Sequence, residues 1–155
     1  MKQISIVEYN KIRKSLSTID PLFEQMWLTH DFLTFDNEEE TAGLHIHNNK
    51  FRIVVNPKFW KKCNTHKRLF IICHEFCHVI FGHWLIDPSL DHTWANIAQD
   101  IQVNEYLLKK YNFNEGLLGG RDYVTLNKVF KQKSHLLERD RDFHYYYDCL
   151  MQCAA

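Results

Sequence analysis

The chain has no excess charge of either sign: 155 residues hold 19 lysines and arginines against 19 aspartates and glutamates. That balance gives no electrostatic ground for a nucleic-acid or membrane partner. No CxxC pair is present, and the five cysteines, Cys63, Cys73, Cys77, Cys149 and Cys153, are odd in number. Cys73 and Cys77 stand one helical turn apart, as do Cys149 and Cys153 if the C-terminus is helical, and a disulfide within a regular helix is geometrically poor. Free thiols in a reducing cytoplasm are expected. Met1 to Asn10 lacks the apolar core of a secretion signal. There is no internal repeat and no low-complexity segment. Leu69 to Ile86 is apolar enough to be weighed as a membrane span, but its three histidines and one glutamate suit a protein core better than lipid. The length fits one domain with a real core, so residues 1–155 are expected to form a single domain.

Inside that apolar run stands Cys73-His74-Glu75-Phe76-Cys77-His78, which contains His-Glu-x-x-His. On a helix, residues four apart share a face, so His74 and His78 can offer two imidazole nitrogens to one metal ion, for which zinc is the suited choice. Glu75 is not a ligand in this pattern; it can reach a metal-bound water and take its proton. Phe70, Ile71, Ile72, Phe76, Val79, Ile80, Phe81, Trp84 and Leu85 surround the polar residues on nearly every side, the mark of a buried helix. Uncompensated polar groups in a core cost roughly 2–7 kcal/mol each, so the cluster needs hydrogen bonds or a metal.

A catalytic zinc takes three protein ligands and leaves a position for water. His83 follows His78 by five residues, roughly 140° around a continuous helix, and can bind only if Gly82 ends or bends that helix. Otherwise it is a last-turn histidine favoured by the helix dipole. The other candidate is Asp100. Asn96, Asp100 and Asn104 recur at intervals of four, a polar stripe on an otherwise apolar helix. Packed on the first helix, that stripe would bring Asp100 to the metal and let Asn104 or Asn96 support a ligating histidine.

The remaining chain predicts an α+β fold, mostly helical. Ile4 to Leu16 is an amphipathic helix, with Ile4, Val7, Ile12 and Leu16 as its apolar positions. Asp20-Pro21 caps a helix running to about Leu28, and residues 37–41 form a polar loop. Leu44–His47 and Phe51–Val55, joined through Asn48-Asn49-Lys50, predict a β-hairpin that Pro57 ends. An edge strand just before a metal helix can hold an extended peptide, and it can equally serve as a cover. Lys58 to Asn64 reads as a loop or one helical turn, Thr65 as the N-cap of a helix from about His66 to Gly82. A second helix spans about Thr93 to Tyr111, with Trp94, Ile97, Ile101, Val103, Tyr106 and Leu107 apolar. Gly116 and Gly119-Gly120 mark a loop. Val124 to Cys153 holds one or two shorter helices ending in the aromatic run Phe143 to Tyr147.

The pattern His74-Glu75-x-x-His78-x-x-x-Gly82-His83, followed by Asn96-Ile97-Ala98-x-Asp100-x-x-x-Asn104, resembles the putative metallopeptidase domain of bacterial and phage proteins, often found beside a von Willebrand A-like domain. The likeness is carried by the middle third of the chain. It implies a zincin-like fold with a small sheet before the active-site helix, and a second helix carrying the third ligand, here Asp100. Relative to thermolysin-like zincins, aspartate replaces a glutamate ligand and Asn104 replaces an acidic supporter. A partner domain would have to be a separate protein.

The expected activity is that of a hydrolase holding one zinc ion, most simply a metallopeptidase acting on a protein or peptide, with Glu75 as general base. Tyr106, Tyr111, Tyr123, His83 and His144 are candidates for stabilising the oxyanion. The alternatives are a zinc-binding scaffold that acts through a protein partner without turnover, and an all-helical structural protein whose His-Glu-His cluster is merely satisfied.

Overall fold

The computed structural model of the chain describes residues 2–118 and 124–154. It is α+β and mostly helical, with one small mixed sheet. The chain divides into two compact units, Met1–Phe76 and Cys77–Ala155, and the boundary falls inside one continuous helix.

In the first unit, α1 (Ile6–Ile19) begins at Ser5, whose hydroxyl accepts from the Glu8 amide. Asp20 ends α1 and starts α2 (Pro21–Thr29); its carboxylate accepts from the Leu22 N–H while Pro21 occupies the first turn, where a missing N–H costs nothing. Ile12 and Leu16 on α1, and Phe23 and Trp27 on α2, are each four apart and buried, the stripe that folds a helix onto a core. Val7, expected among them, is exposed, and Ile4 is buried ahead of the helix rather than in it.

The sheet runs β1-β2-β4-β3, built from β1 (Lys2–Gln3), β2 (Asp31–Phe35), β3 (Ala42–His47) and β4 (Lys50–Val55). The expected hairpin is β3–β4, paired from Ala42↔Val55 to His47↔Lys50. Asn48 and Asn49 close it with φ of 51° and 62°, the two left-handed residues that a tight type I′ turn requires and that asparagine tolerates. β4 pairs with β2 in parallel. Ile53, Val54 and Val55 are therefore buried in succession, as in a strand covered on both faces. Most of Lys58 to Asn64, expected as a loop or one helical turn, lies in helix α3 (Pro57–Lys62), which Asn56 caps and Pro57 opens.

Helix α4 spans Thr65–Ile80. Its cap is Asn64, one residue before the expected Thr65: the Asn64 side-chain oxygen accepts from the Lys67 N–H at 2.8 Å. Phe70, Ile72, Cys73, Phe76 and Cys77 are buried. The expectation that Trp84 and Leu85 help enclose the helix fails, since α4 stops at Ile80 and the two are 50% and 69% exposed.

The second unit continues with α5 (His92–Lys110), capped by Asp91, whose carboxylate accepts from the Trp94 N–H. Then come α6 (Glu115–Leu118), α7 (Leu126–Phe130), a 3-10 turn (Lys131–Leu136) and α8 (Phe143–Ala154). Ala98 and Ile101 of α5 meet Leu126, Phe130, Tyr146 and Leu150 in one core. Buried Glu105 accepts from the Leu126 N–H at 2.8 Å and from Arg139 at 2.7 Å, fixing the start of α7 against α5. Two expectations change here. Gly116 belongs to α6 rather than a loop, and the aromatic run from Phe143 opens the last helix rather than closing it. Gly119 and Gly120 lie outside the described residues. All five cysteines are free thiols. Among the described residues no helix is long and apolar enough to cross a membrane.

Candidate metal centre

His74 and His78, one turn apart on α4, group with Asp100 of α5. One ligand atom from each lies within 4.8 Å of the others, and all three side chains are half-buried. His78 Nε2 stands 3.1 Å from Asp100 Oδ1. Two donors each about 2.1 Å from a tetrahedral ion stand about 3.4 Å apart, so this pair is spaced to share one. Two imidazoles and a carboxylate are also a donor set suited to a divalent transition metal that must keep an open position.

Behind His78 the chain turns back. Helix α4 ends and Gly82 adopts φ 69°, in the left-handed region that glycine enters without penalty. The His83 N–H donates to the His78 carbonyl at 2.9 Å, and the His83 carbonyl accepts from the Gln99 side chain at 3.4 Å. The buried His83 ring packs beside Phe81 and edge-on to Phe143. Its Nδ1 lies 2.9 Å from His78 Nδ1, and its Nε2 lies 2.6 Å from Gln102 Oε1. The same Gln102 oxygen accepts from the Phe143 N–H at 3.1 Å.

A row of close polar contacts results: Asp100, His78, His83, Gln102. Its two ends are acceptors, and between them lie three gaps. Two neutral imidazoles supply one N–H each, which fills two gaps. The third, between His78 Nε2 and Asp100 Oδ1, is the one spaced for a shared ion.

Glu75 is buried, 7% exposed, and follows His74 on α4. The polar stripe on α5 runs from solvent to core: Asn96 is exposed with its amide 3.4 Å from His92 Nε2, Asp100 is half-buried, and Asn104 is fully buried. The Asn104 amide donates to the Val124 carbonyl at 2.7 Å. His83 is not in the donor group; it backs His78 instead. Among the oxyanion candidates, Tyr106 accepts from Lys110 and packs against Phe81 and Tyr111, and His144 is exposed beside Phe143. Tyr123 lies outside the described residues. Gln99 and Gln102 stand at the unspecified positions of the sequence pattern. The available signal was two amides three apart on a core-facing helix, which must find partners when buried.

A family model described as Putative metallopeptidase domain matches residues 10–152, a span that includes both donor-bearing helices. No curated protein and no solved structure matches the chain. With a match over nearly its whole length, the chain belongs to the Putative metallopeptidase domain family.

Proposed function

We propose that the chain is a zinc-dependent peptidase, folded as a single domain, with His74, His78 and Asp100 as the metal ligands and Glu75 as the general base. The observation that carries this reading is the His74–His78–Asp100 donor group with a buried carboxylate, Glu75, next to its first member. A family match that crosses the unit boundary without a break supports the single domain.

A bound zinc ion supplies Lewis acidity, which lowers the pKa of water toward about 7 and polarises a carbonyl oxygen. Glu75 accepts the proton of the attacking water at its carboxylate and hands it to the leaving amine nitrogen. Burial serves that step by limiting competition from bulk water. His74, His78 and Asp100 are half-buried, so part of each stays accessible to a substrate. Asn104, one turn past Asp100, steadies that stretch of α5 through its bond to the Val124 carbonyl.

The test combines elemental analysis with cleavage of a mixed peptide pool read by mass spectrometry. Wild type should carry one equivalent of zinc, and His78→Ala and Asp100→Ala should lose it. Glu75→Gln should keep the ion and lose about 10²–10⁴-fold in rate, the usual contribution of a general base. Absence of zinc after reconstitution overturns the metal reading. Ion uptake with no cleavage of any peptide makes the chain a metal-holding scaffold instead.

A further inference from the structure

We infer that His83 and Gln102 are positioning residues that select the ring tautomer of His78, leaving its Nε2 without a hydrogen and turned toward Asp100. The inference rests on the proposed metal site and adds to it a device that sets which nitrogen of His78 is available before any ion arrives.

The argument starts at the far end of the contact row. The Phe143 main-chain N–H can only donate, so the Gln102 side-chain atom it meets at 3.1 Å is the amide oxygen. A flipped amide would set an NH₂ group against that donor, so the hydrogen-bond network fixes the orientation. The same oxygen lies 2.6 Å from His83 Nε2, which must therefore carry the hydrogen of that ring. A neutral His83 then presents a bare Nδ1. That nitrogen is 2.9 Å from His78 Nδ1, so His78 donates there and carries its own hydrogen on Nδ1. The remaining nitrogen, Nε2, keeps its lone pair, and it is the one 3.1 Å from Asp100. The tautomer of a ligating histidine is set by the hydrogen bond its other nitrogen makes.

Three features hold the row in place. The left-handed Gly82 turns His83 back over the helix end, Gln99 holds the His83 carbonyl, and Phe81 and Phe143 flank its ring. A surface histidine whose second nitrogen faced water would not be so constrained. Gln102 links the site to the start of α8 through Phe143, so one amide oxygen serves both the helix start and the histidine row.

The experiment is two-bond ¹H–¹⁵N correlation NMR of the imidazoles in metal-free full-length protein, with His78 assigned by the loss of its signals in His78→Asn. A zinc competition titration on the same samples supplies the second readout. Wild type should show His78 as the Nδ1–H tautomer. Gln102→Leu should shift it toward Nε2–H and weaken zinc binding 10–100-fold, the usual effect of losing an outer-shell partner. Gln102→Glu, which keeps an oxygen for both donors, should retain the tautomer and most of the affinity. Because Gln102→Leu also frees the Phe143 N–H, His83→Phe is the second variant: it keeps the aromatic packing, deletes the acceptor, and should act like Gln102→Leu. An Nε2–H tautomer in wild type overturns the inference. So does unchanged zinc affinity in both apolar variants, which would leave the metal reading intact. Failure of wild type to take up zinc while His78 is Nδ1–H would instead overturn the metal reading and leave the positioning row standing.

Discussion

The Nδ1 atoms of His78 and His83 stand 2.9 Å apart, although residues five apart on one helix point roughly 140° away from each other. The helix has to stop between them for the contact to form, and it does: α4 ends at Ile80 and Gly82 turns the chain with φ 69°. Among the described residues nothing lies within 4 Å of where a Cβ on Gly82 would be, so the requirement for glycine is one of backbone conformation and not of space.

Gly82→Ala should therefore destabilise the protein by about 1–2 kcal/mol, the cost of a left-handed L-residue, and should loosen the His78–His83 contact. Gly82→Asn should cost less, because asparagine tolerates that region. Urea denaturation of both variants decides the matter by sign. If residue 82 continued the helix, alanine would stabilise by about 1 kcal/mol instead.

The parts of this molecule that sequence can show are those governed by local spacing. The two histidines of α4, the polar stripe through Asp100 and the Asn48-Asn49 turn each follow from residues a few positions apart. What could not be read depends on partners distant in sequence. β1 is only Lys2–Gln3 and becomes a strand by pairing with Thr34 and Phe35. β2 is defined by a parallel neighbour twenty residues on. The task of Gln102 is invisible until Gly82 is known to turn His83 toward it. Trp84 and Leu85 misled for the same reason, since counting apolar residues around a helix presumes knowing where the helix ends.

Tyr146 yields an alkaline prediction. Its hydroxyl donates to the Glu138 carbonyl at 3.1 Å and accepts from the Arg141 N–H at 3.4 Å. Burial pushes its phenol up to about 12, against a partly opposing Arg141 N–H. An unfolded tyrosine ionises near pH 10. The folded pKa is the higher one, so the contribution is complete below pH 10 and is lost as pH rises toward 12. Tyr146→Phe removes the hydroxyl and should cost about 1 kcal/mol at pH 8, the net worth of a buried hydrogen bond. It also removes the titration, so wild-type and variant unfolding free energies should converge between pH 10 and 12. Curves that stay parallel through that window would show that the Tyr146 phenol is not held protonated.

His30 gives the acid-side counterpart in the first unit. Its Nδ1–H donates to the Trp27 carbonyl at 2.7 Å, and its buried Nε2 has no hydrogen-bond partner among the described residues. The rings of Trp27 and Phe76 lie beside it. Burial holds the imidazole below its ordinary 6.5, outweighing the opposite pull of the Trp27 carbonyl and of Asp31. A proton added at Nε2 would meet no acceptor among the described residues. The unfolded chain takes up that proton below pH 6.5 while the folded chain resists it, so stability is complete above 6.5 and falls as pH drops through the folded value. Metal-free wild type and His30→Phe, which keeps the ring packing and cannot titrate, should be compared by thermal unfolding from pH 7.5 to 5. The wild-type midpoint should fall more steeply below pH 6.5 than that of the variant, and the His30 ring protons should titrate by NMR below 6.5. A titration at or above 6.5 would mean that the Trp27 carbonyl and Asp31 outweigh burial, and the sign of the pH dependence would then reverse.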